Sequence, residues 1–250
     1  MSDIQIRVIT CNDQSKRMKH FNHLWHEANK KSSSRYNVLQ CVNGKKFKKK
    51  DLVHLVESKQ LDPHTDMDII EVAIYMSHLK CWEEFLKTDY KYLIVMEDDV
   101  EIRPYFEQGL KRVLKALDTL KRSEWNGVLY LFHGNYISYK QEPFRTVQNR
   151  KPKITFNRII PKSTKTMLPI PTGSAYLLTR DMAKKWVKDF YPMSKPVDVI
   201  MANYYKKALT LNMKGDHFGP HGRSSPLIYL PQYTDDQSSR SEVPYVDEML

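Results

Sequence analysis

Five consecutive apolar residues at positions 92–96 are followed at once by three acidic residues, Glu97, Asp98 and Asp99. An uninterrupted apolar run of this kind is typical of a β-strand that is covered on both faces. Three carboxylates at the carboxyl end of a buried strand repel one another where the dielectric constant is low. We therefore expect a compensating cation at this strand end.

The segments around this run alternate between strand and helix patterns. Strands are predicted over residues 4–10, 36–42, 92–96, 128–132, 175–179 and 209–213. Helices are predicted over residues 15–27, 51–57, 66–87, 104–120, 180–190 and 197–207, with Asp66 and Asp68 as N-terminal caps of the third. This alternation predicts an α/β sandwich with a mainly parallel central sheet.

Two regions do not follow the alternation. Residues 138–167 are basic, interrupted by prolines and without a clear period, which predicts a long loop or a small hairpin inserted over the sheet. Beyond Asp216 the chain has the composition of a loop. Because there is no internal repeat and no linker, we expect a single domain over residues 1–250.

The charge is unevenly distributed along the chain. The net charge of +11 favours an anionic partner, and 41% hydrophobic residues with only 8 glycines exclude disordered and collagen-like chains. Residues 61–110 carry 12 acidic and 4 basic side chains, whereas residues 111–215 carry 21 basic and 6 acidic ones. An acidic block between basic segments does not suit a simple polyanion-binding protein.

The cysteine pattern predicts reduced thiols. Cys11, Cys41 and Cys81 are odd in number, widely spaced and without a CxxC pair, so neither a disulfide framework nor a zinc cluster is expected. No apolar run approaches the roughly 20 residues of a membrane span, and the N-terminal residues lack the pattern of a signal peptide. These features predict a cytoplasmic protein without a transmembrane segment.

The acidic strand end itself predicts a metal–diphosphate site. In an extended chain Glu97 and Asp99 lie on one side, where they offer hard oxygen ligands to Mg²⁺ or Mn²⁺. Ligands of open α/β sheets collect beyond the carboxyl ends of the strands. The alternative is a solvated turn whose carboxylates cap the following helix.

Two segments resemble the core of glycosyltransferase family 25, which includes lipopolysaccharide-biosynthesis galactosyltransferases and procollagen galactosyltransferases. They are residues 71–82, EVAIYMSHLKCW, and residues 92–100, YLIVMEDDV. Weaker similarities lie at Lys16-Arg17-Met18, Asn43-Gly44, Thr172–Tyr176, Pro196-Val197-Asp198, Gln232 and Ser238. The sequence departs from the family pattern where Ile70 replaces a glycine and Ile74 replaces a small residue.

The resemblance implies a GT-A fold and an inverting, metal-dependent transfer from a UDP-sugar. Galactose is the favoured hexose and glucose the next, and the acceptor is a saccharide or the hydroxylysine of a collagen-like chain. Mn²⁺ or Mg²⁺ is the implied cofactor. Residues 1–135 would form the nucleotide-sugar-binding half, and residues 136–250 the acceptor-side half with a loop-rich C-terminus. Without a signal peptide or an ER-retention tail, the sequence fits a bacterial or viral setting.

Site residues follow from the motif and from this resemblance. The expected metal ligands are Glu97 and Asp99, with His217 and His221 as further candidates. Residues expected to contact the donor are Thr10, Asn12, Arg17, Ser77, His78, Lys80 and Asp98. Asp198 is the expected general base, because its segment is otherwise poor in acids and inversion requires a proton acceptor.

Several of these residues have a structural alternative. Asp198 is equally suited to cap a helix, Arg17 to lie on a helix surface, and His78 to be satisfied within the core. His217 and His221 are also compatible with free histidines in a loop.

Two other functions compete with a glycosyltransferase. The basic stretches at 45–50 and 139–165 would suit a nucleic-acid-binding protein, whose signature is a steep salt dependence of oligonucleotide binding. No nucleic-acid reader motif is recognisable, which argues against it. A catalytically inactive module that binds UDP-sugars is the other alternative, and the intact Glu97-Asp98-Asp99 argues against that one.

Overall fold

Strands from both the N-terminal and the C-terminal parts of the chain join one eight-stranded sheet in the computed structural model. The structure describes residues 3–12, 15–29, 35–104, 106–131, 139–147, 153–161, 174–214, 228–229 and 244–250. The strands are β1 (Ile4–Thr10), β2 (Asn37–Gln40), β3 (Tyr92–Glu97), β4 (Glu101–Ile102), β5 (Val128–Tyr130), β6 (Tyr139–Val147), β7 (Lys153–Pro161), β8 (Ala175–Thr179), β9 (Leu209–Lys214) and β10 (Ile228–Tyr229). The helices are α1 (Lys16–Ala28), α2 (Lys49–Glu57), α3 (Ile69–Leu86), α4 (Phe106–Leu117), α5 (Arg180–Asp189), α6 (Val197–Ala202) and α7 (Val246–Met249).

The sheet has the strand order β2-β1-β3-β8-β5-β9-β7-β6, and β4 and β10 form a separate pair. β1 is parallel to both β2 and β3, and β5 is parallel to β9. β8 lies antiparallel between β3 and β5, and the β7–β9 and β6–β7 pairs are also antiparallel. The predicted α/β class is confirmed, and the sheet is mixed.

Helices cover both faces of the sheet, as the apolar run in β3 predicts. Tyr92, Ile94 and Met96 pack in the cluster that includes buried residues of α1 and α4. Leu93 and Val95 pack in the opposite cluster, with buried residues of α3 and α5. All five side chains are at most 4% exposed. The same alternation places Glu97, the last residue of β3, on the face that α3 covers.

The longest helix, α3, begins at a reciprocal N-terminal cap. The Asp68 carboxylate accepts a hydrogen bond from the Glu71 amide (2.8 Å), and the Glu71 carboxylate accepts one from the Asp68 amide (3.0 Å). Asp66, predicted as a second cap, instead accepts a hydrogen bond from Lys195 at 2.7 Å. Across the described ranges, α3 included, we find no helix whose length and apolar character would allow it to cross a membrane.

The basic segment after β5 contains a hairpin, but the hairpin extends the sheet. β6 and β7 pair with each other, and β7 pairs with β9, so the two strands form one edge of the sheet. The expectation of an insertion over the sheet is therefore wrong. α6 is also shorter than predicted, because the chain turns after Ala202 and reaches β9 through Lys207, which has a positive φ of 65°.

The prediction of unpaired cysteines is wrong for two of the three. Cys11 and Cys41 directly follow β1 and β2, whose last residues, Thr10 and Gln40, are register partners in a parallel pair. This pairing brings the two cysteines to a Cα–Cα distance of 4.8 Å, and they form a disulfide. Cys81 is a free, buried thiol. A separation of 30 residues gives no local signal for such a bond.

Candidate functional site

A cavity of about 620 Å³ opens at the carboxyl ends of β1, β2 and β3, next to α3. Seven of the predicted site residues line it: Thr10, Asn12, Arg17, Ser77, His78, Glu97 and Asp98. Both cysteines of the disulfide also line this cavity. The strand order explains the grouping, because parallel neighbours present their carboxyl ends at one edge of the sheet.

Only the first of the three acidic residues continues the alternation of β3. β3 ends at Glu97, and Asp98 and Asp99 lie in the turn that follows. Asp98 is oriented by Thr10, whose hydroxyl donates a hydrogen bond to the carboxylate at 2.5 Å. The same hydroxyl oxygen accepts a hydrogen bond from the Asn12 amide at 3.2 Å. The last residue of β1 thus holds the middle acid of the motif.

Asp99 has the chemistry of a cation ligand. Its Oδ1 atom is buried and has no hydrogen-bond partner among the described residues. Burial, followed by the charge of Glu97, raises the pKa of Asp99 to about 7, while Arg17 opposes the rise. A divalent cation relieves both the burial of the charge and the repulsion between the acids. The residues present therefore fit a metal ion.

The described residues supply only part of a coordination sphere. Within them, no group of three or more histidine, cysteine, aspartate or glutamate side chains is arranged to hold a metal ion. Mg²⁺ commonly takes one or two carboxylates and completes its shell with water and substrate phosphate oxygens. The proposed ligands His217 and His221 lie outside the described residues.

Arg17 supplies positive charge to the same end of the sheet. It lies in the first turn of α1, which begins after the cap Ser15, whose hydroxyl accepts a hydrogen bond from the Met18 amide. Its charge favours the ionised forms of Asp98 and Asp99, whose pKa values are raised mainly by burial. Arg17 is exposed on the helix surface and also lines the cavity.

α3 forms one wall of the cavity through Ser77 and His78, which are each 1% exposed. The Ser77 hydroxyl accepts a hydrogen bond from the Val42 amide at 2.9 Å and so holds the loop after β2. The two ring nitrogens of His78 contact Tyr176 Oη at 2.8 Å and Glu97 Oε1 at 3.4 Å. His78 is thus a core histidine that also reaches the acidic motif.

The loop after β2 packs closely on the start of α3. A Cβ atom at Gly44 would lie 2.5 Å from the carbonyl oxygen of Ile69, which explains the glycine at this position. Ile70 and Ile74, the two departures from the family pattern, line the cavity here. Ile74 is 38% exposed. These residues give the cavity an apolar wall opposite its acidic end.

Asp198 lies near the acidic motif, as a general base for this site must. Burial raises its pKa, and Glu97 and His78 are close enough for both to shift it. The cap of α6 is Pro196, and the Asp198 side chain accepts a hydrogen bond from the Val199 amide at 2.9 Å. Asp198 is therefore the second residue of the helix and not its N-cap.

The structure does not bring Lys80 to the cavity. It is exposed and lies two residues after His78, which turns an α-helix by about 200°. Lys45 is the member of the basic 45–50 stretch that lines the cavity, while Lys46 and Lys48 are exposed beyond it.

A second cavity, of about 560 Å³, lies at the opposite end of β3. Five of its polar side chains pair with one another: Asp118 accepts hydrogen bonds from Tyr92 (2.9 Å) and Lys91, and Arg122 pairs with Asp181 at 2.7 Å. The predicted site residues line the cavity at the carboxyl ends instead, which makes that cavity the candidate site.

Two features of the site have no clear signal in the sequence. The disulfide between Cys11 and Cys41 joins residues that no local pattern connects. Tyr176 belongs to a small-residue strand in the sequence, and its contact with His78 is not predicted there. Its sequence signals are the weak family similarity of Thr172–Tyr176 and a tyrosine among the apolar residues of β8.

Comparison with known proteins gives one family match. The model of Glycosyltransferase family 25 (LPS biosynthesis protein) matches residues 3–201. No curated protein sequence matches the chain.

Several solved structures are similar to the chain at low identity. A197 from STIV is 11% identical, with a TM-score of 0.41 over 87% of this chain and 86% of that one. Mannose-1-phosphate geranyltransferase from Thermus thermophilus is 8% identical, with a TM-score of 0.38 over 89% and 75% of the two chains. TarS residues 1–349 from S. aureus are 13% identical, with a TM-score of 0.40 over 91% and 60%.

Proposed function

The chain belongs to glycosyltransferase family 25 and is therefore a glycosyltransferase, and from this premise we propose which donor, cation and residues it uses. The donor is a UDP-hexose, with galactose favoured and glucose next, and the acceptor hydroxyl belongs to a saccharide or to hydroxylysine in a collagen-like chain. The transfer requires Mn²⁺ or Mg²⁺ and inverts the anomeric carbon.

The donor is proposed to bind in the cavity at the carboxyl ends of β1, β2 and β3. Ile70 and Ile74 offer apolar surface to the flat uracil ring, and Thr10 and Asn12 offer polar groups at the loop after β1. Arg17, which also lines the cavity, is proposed to bind the diphosphate. Apolar walls with a few polar groups are the usual composition of a site for a ligand of this size.

The observation that carries the proposal is the buried, unpartnered carboxylate oxygen of Asp99 beside Glu97 and Asp98. Asp99 is the proposed principal metal ligand, with Glu97 or Asp98 assisting. When bound, the cation supplies positive charge that neutralises the oxygen of the leaving diphosphate. Arg17 adds a second positive charge on the same side.

Asp198 is proposed to take the proton of the acceptor. As the acceptor oxygen forms its bond to the anomeric carbon, the hydroxyl proton moves to the Asp198 carboxylate. The bond between the anomeric carbon and the β-phosphate oxygen breaks, and its electron pair leaves with UDP. The raised pKa of Asp198 makes the carboxylate a stronger base than an ordinary aspartate.

The test is a panel of UDP-sugars assayed for UDP release with and without Mn²⁺, on the wild type and on Asp99→Asn. We expect Mn²⁺-dependent release from one UDP-hexose, lowered at least ~100-fold in Asp99→Asn. Full Mn²⁺-dependent turnover in the variant would show that Asp99 is not the metal ligand. UDP binding without turnover of any donor would instead identify an inactive binding module.

A further inference from the structure

Glu97 is the end of a chain of buried polar contacts that crosses the core. The indole N–H of Trp82 donates to Tyr176 Oη at 2.9 Å, and that oxygen lies 2.8 Å from His78 Nδ1. His78 Nε2 then lies 3.4 Å from Glu97 Oε1. Trp82 and Tyr176 are completely buried, and His78 is 1% exposed.

The chemistry of these groups sets the direction of the hydrogen bonds. An indole nitrogen can only donate, so Tyr176 Oη accepts from Trp82, and His78 Nδ1 at 2.8 Å is positioned to accept the hydrogen of the same hydroxyl. Nδ1 of His78 then accepts, and a neutral imidazole carries its one hydrogen on the other nitrogen, Nε2. That nitrogen faces the carboxylate of Glu97. An ionised carboxylate has no hydrogen to donate, so it accepts the hydrogen bond from Nε2.

We propose that Tyr176 is a positioning residue, which fixes the tautomer of His78 and thereby orients the carboxylate of Glu97. The contact of 3.4 Å between His78 and Glu97 is long for a hydrogen bond. The orientation of the His78 ring is therefore imposed by its shorter contact of 2.8 Å with Tyr176 Oη. The Tyr176 ring also stacks on His78, with centroids 5.8 Å apart. With Oε1 occupied by His78, the second oxygen of Glu97 is left for a ligand.

This inference rests on the proposed function, because it is there that Glu97 takes part in binding the metal and the donor. Groups that orient a metal ligand typically change metal affinity or activity about 10- to 100-fold when they are removed. A phenol that merely filled the core would affect stability without affecting the tautomer of His78 or the binding of a metal. The tautomer and the metal affinity therefore separate the two roles.

The first test is ¹H–¹⁵N NMR of the histidine ring nitrogens in the full chain at pH 8, without metal. His78→Gln identifies the His78 signals. We expect the hydrogen on Nε2 in the wild type and a shift towards Nδ1 in Tyr176→Phe, which removes only the hydroxyl. Tyr75→Phe is the matched control, because it removes another buried hydroxyl of the core, which donates to the Phe190 carbonyl at 2.7 Å.

The second test is calorimetric binding of UDP in the presence of Mn²⁺. We expect about 10-fold weaker binding in Tyr176→Phe and wild-type binding in Tyr75→Phe. His78→Gln, whose amide lies near the position of Nε2, should bind more tightly than His78→Asn, whose amide lies near that of Nδ1.

Each failure has a distinct meaning. An unchanged tautomer in Tyr176→Phe, a hydrogen on Nδ1 in the wild type, or equal affinities of Tyr176→Phe and Tyr75→Phe would overturn the positioning role. Absence of Mn²⁺-dependent UDP binding in the wild type would instead overturn the proposed function, and with it the purpose of orienting Glu97.

Discussion

The Asp99 carboxyl group combines burial with two acidic neighbours, and both raise the free energy of its ionised form in the folded protein. The ordinary aspartate pKa applies to the unfolded chain, whereas the folded pKa is about 7. At a pH between these two pKa values, Asp99 keeps its proton in the folded protein and has released it in the unfolded chain. Stability of the metal-free protein therefore falls as the pH rises through this window.

Asp99→Asn should remove that dependence. We expect the metal-free variant to be more stable than the wild type at pH 8, by on the order of 4 kcal/mol, and the difference to vanish near pH 4. Urea unfolding in the presence of EDTA at several pH values measures it. Asp89→Asn, an exposed aspartate at the opposite end of the sheet, should leave stability unchanged. A variant less stable than the wild type at pH 8 would contradict this account.

Asp198→Asn should abolish transfer while leaving donor binding intact. Loss of a general base costs roughly 10²- to 10⁴-fold in rate, and UDP affinity should stay within about 2-fold of the wild type. Since only the ionised carboxylate accepts a proton, the wild-type rate should fall as the pH drops through the raised pKa of Asp198. Asp181→Asn, remote from the cavity, is the control. A rate of Asp198→Asn equal to that control would exclude Asp198 as the base.

At the scale of elements, the disulfide joins the loops after β1 and β2, and both loops line the cavity. Closing this loop should stabilise the protein by about 3 kcal/mol. The double variant Cys11→Ser, Cys41→Ser should therefore have a lower Tm and weaker UDP binding. A reductant should lower the Tm of the wild type and not that of the double variant. Equal sensitivity of both proteins to the reductant would show that the bond does not hold the loops.

Local patterns were sufficient for elements that depend on local chemistry. The bounds of β1 and β8 agree with the prediction, and the Asp68 cap of α3 was identified from the residue types at its start. The pairing of β7 with β9 and the disulfide are contacts between distant segments, so no local pattern encodes them. The same limit applies to Tyr176, whose partners Trp82 and His78 lie more than 90 residues away.

The site residues likewise include some that the sequence pattern locates and some that it does not. The acidic motif could be located because a buried strand ending in three carboxylates is unusual chemistry. The placement of Lys80 could not be predicted in this way. It is expected as a cation of the family-like segment 71–82, and helix geometry turns it to a different side from His78.

At the scale of the whole molecule, the sheet interleaves the two halves of the chain. β8 inserts between β3 and β5, and β9 pairs with β5, so neither half completes its own sheet. We expect residues 1–250 to behave as a single domain that unfolds in one transition, with coincident urea curves from near- and far-ultraviolet circular dichroism. Two separated transitions, or an isolated 1–135 fragment that folds cooperatively, would contradict this expectation.

Basic side chains lie beside the acidic motif in a chain whose net charge is +11. Arg17 and Lys45 line the same cavity as Glu97 and Asp98. This arrangement suits a diphosphate held against a cation better than a polyanion lying along a groove.

The central claim is that the carboxyl end of β3 holds a divalent cation against a nucleotide diphosphate. Crystals grown with Mn²⁺ and UDP, measured at the manganese absorption edge, test it directly. The account predicts an anomalous peak within coordination distance of the Asp99 carboxylate and of a UDP phosphate oxygen, with uracil against Ile70 and Ile74. A peak remote from Asp99, or UDP bound elsewhere on the molecule, would contradict the account.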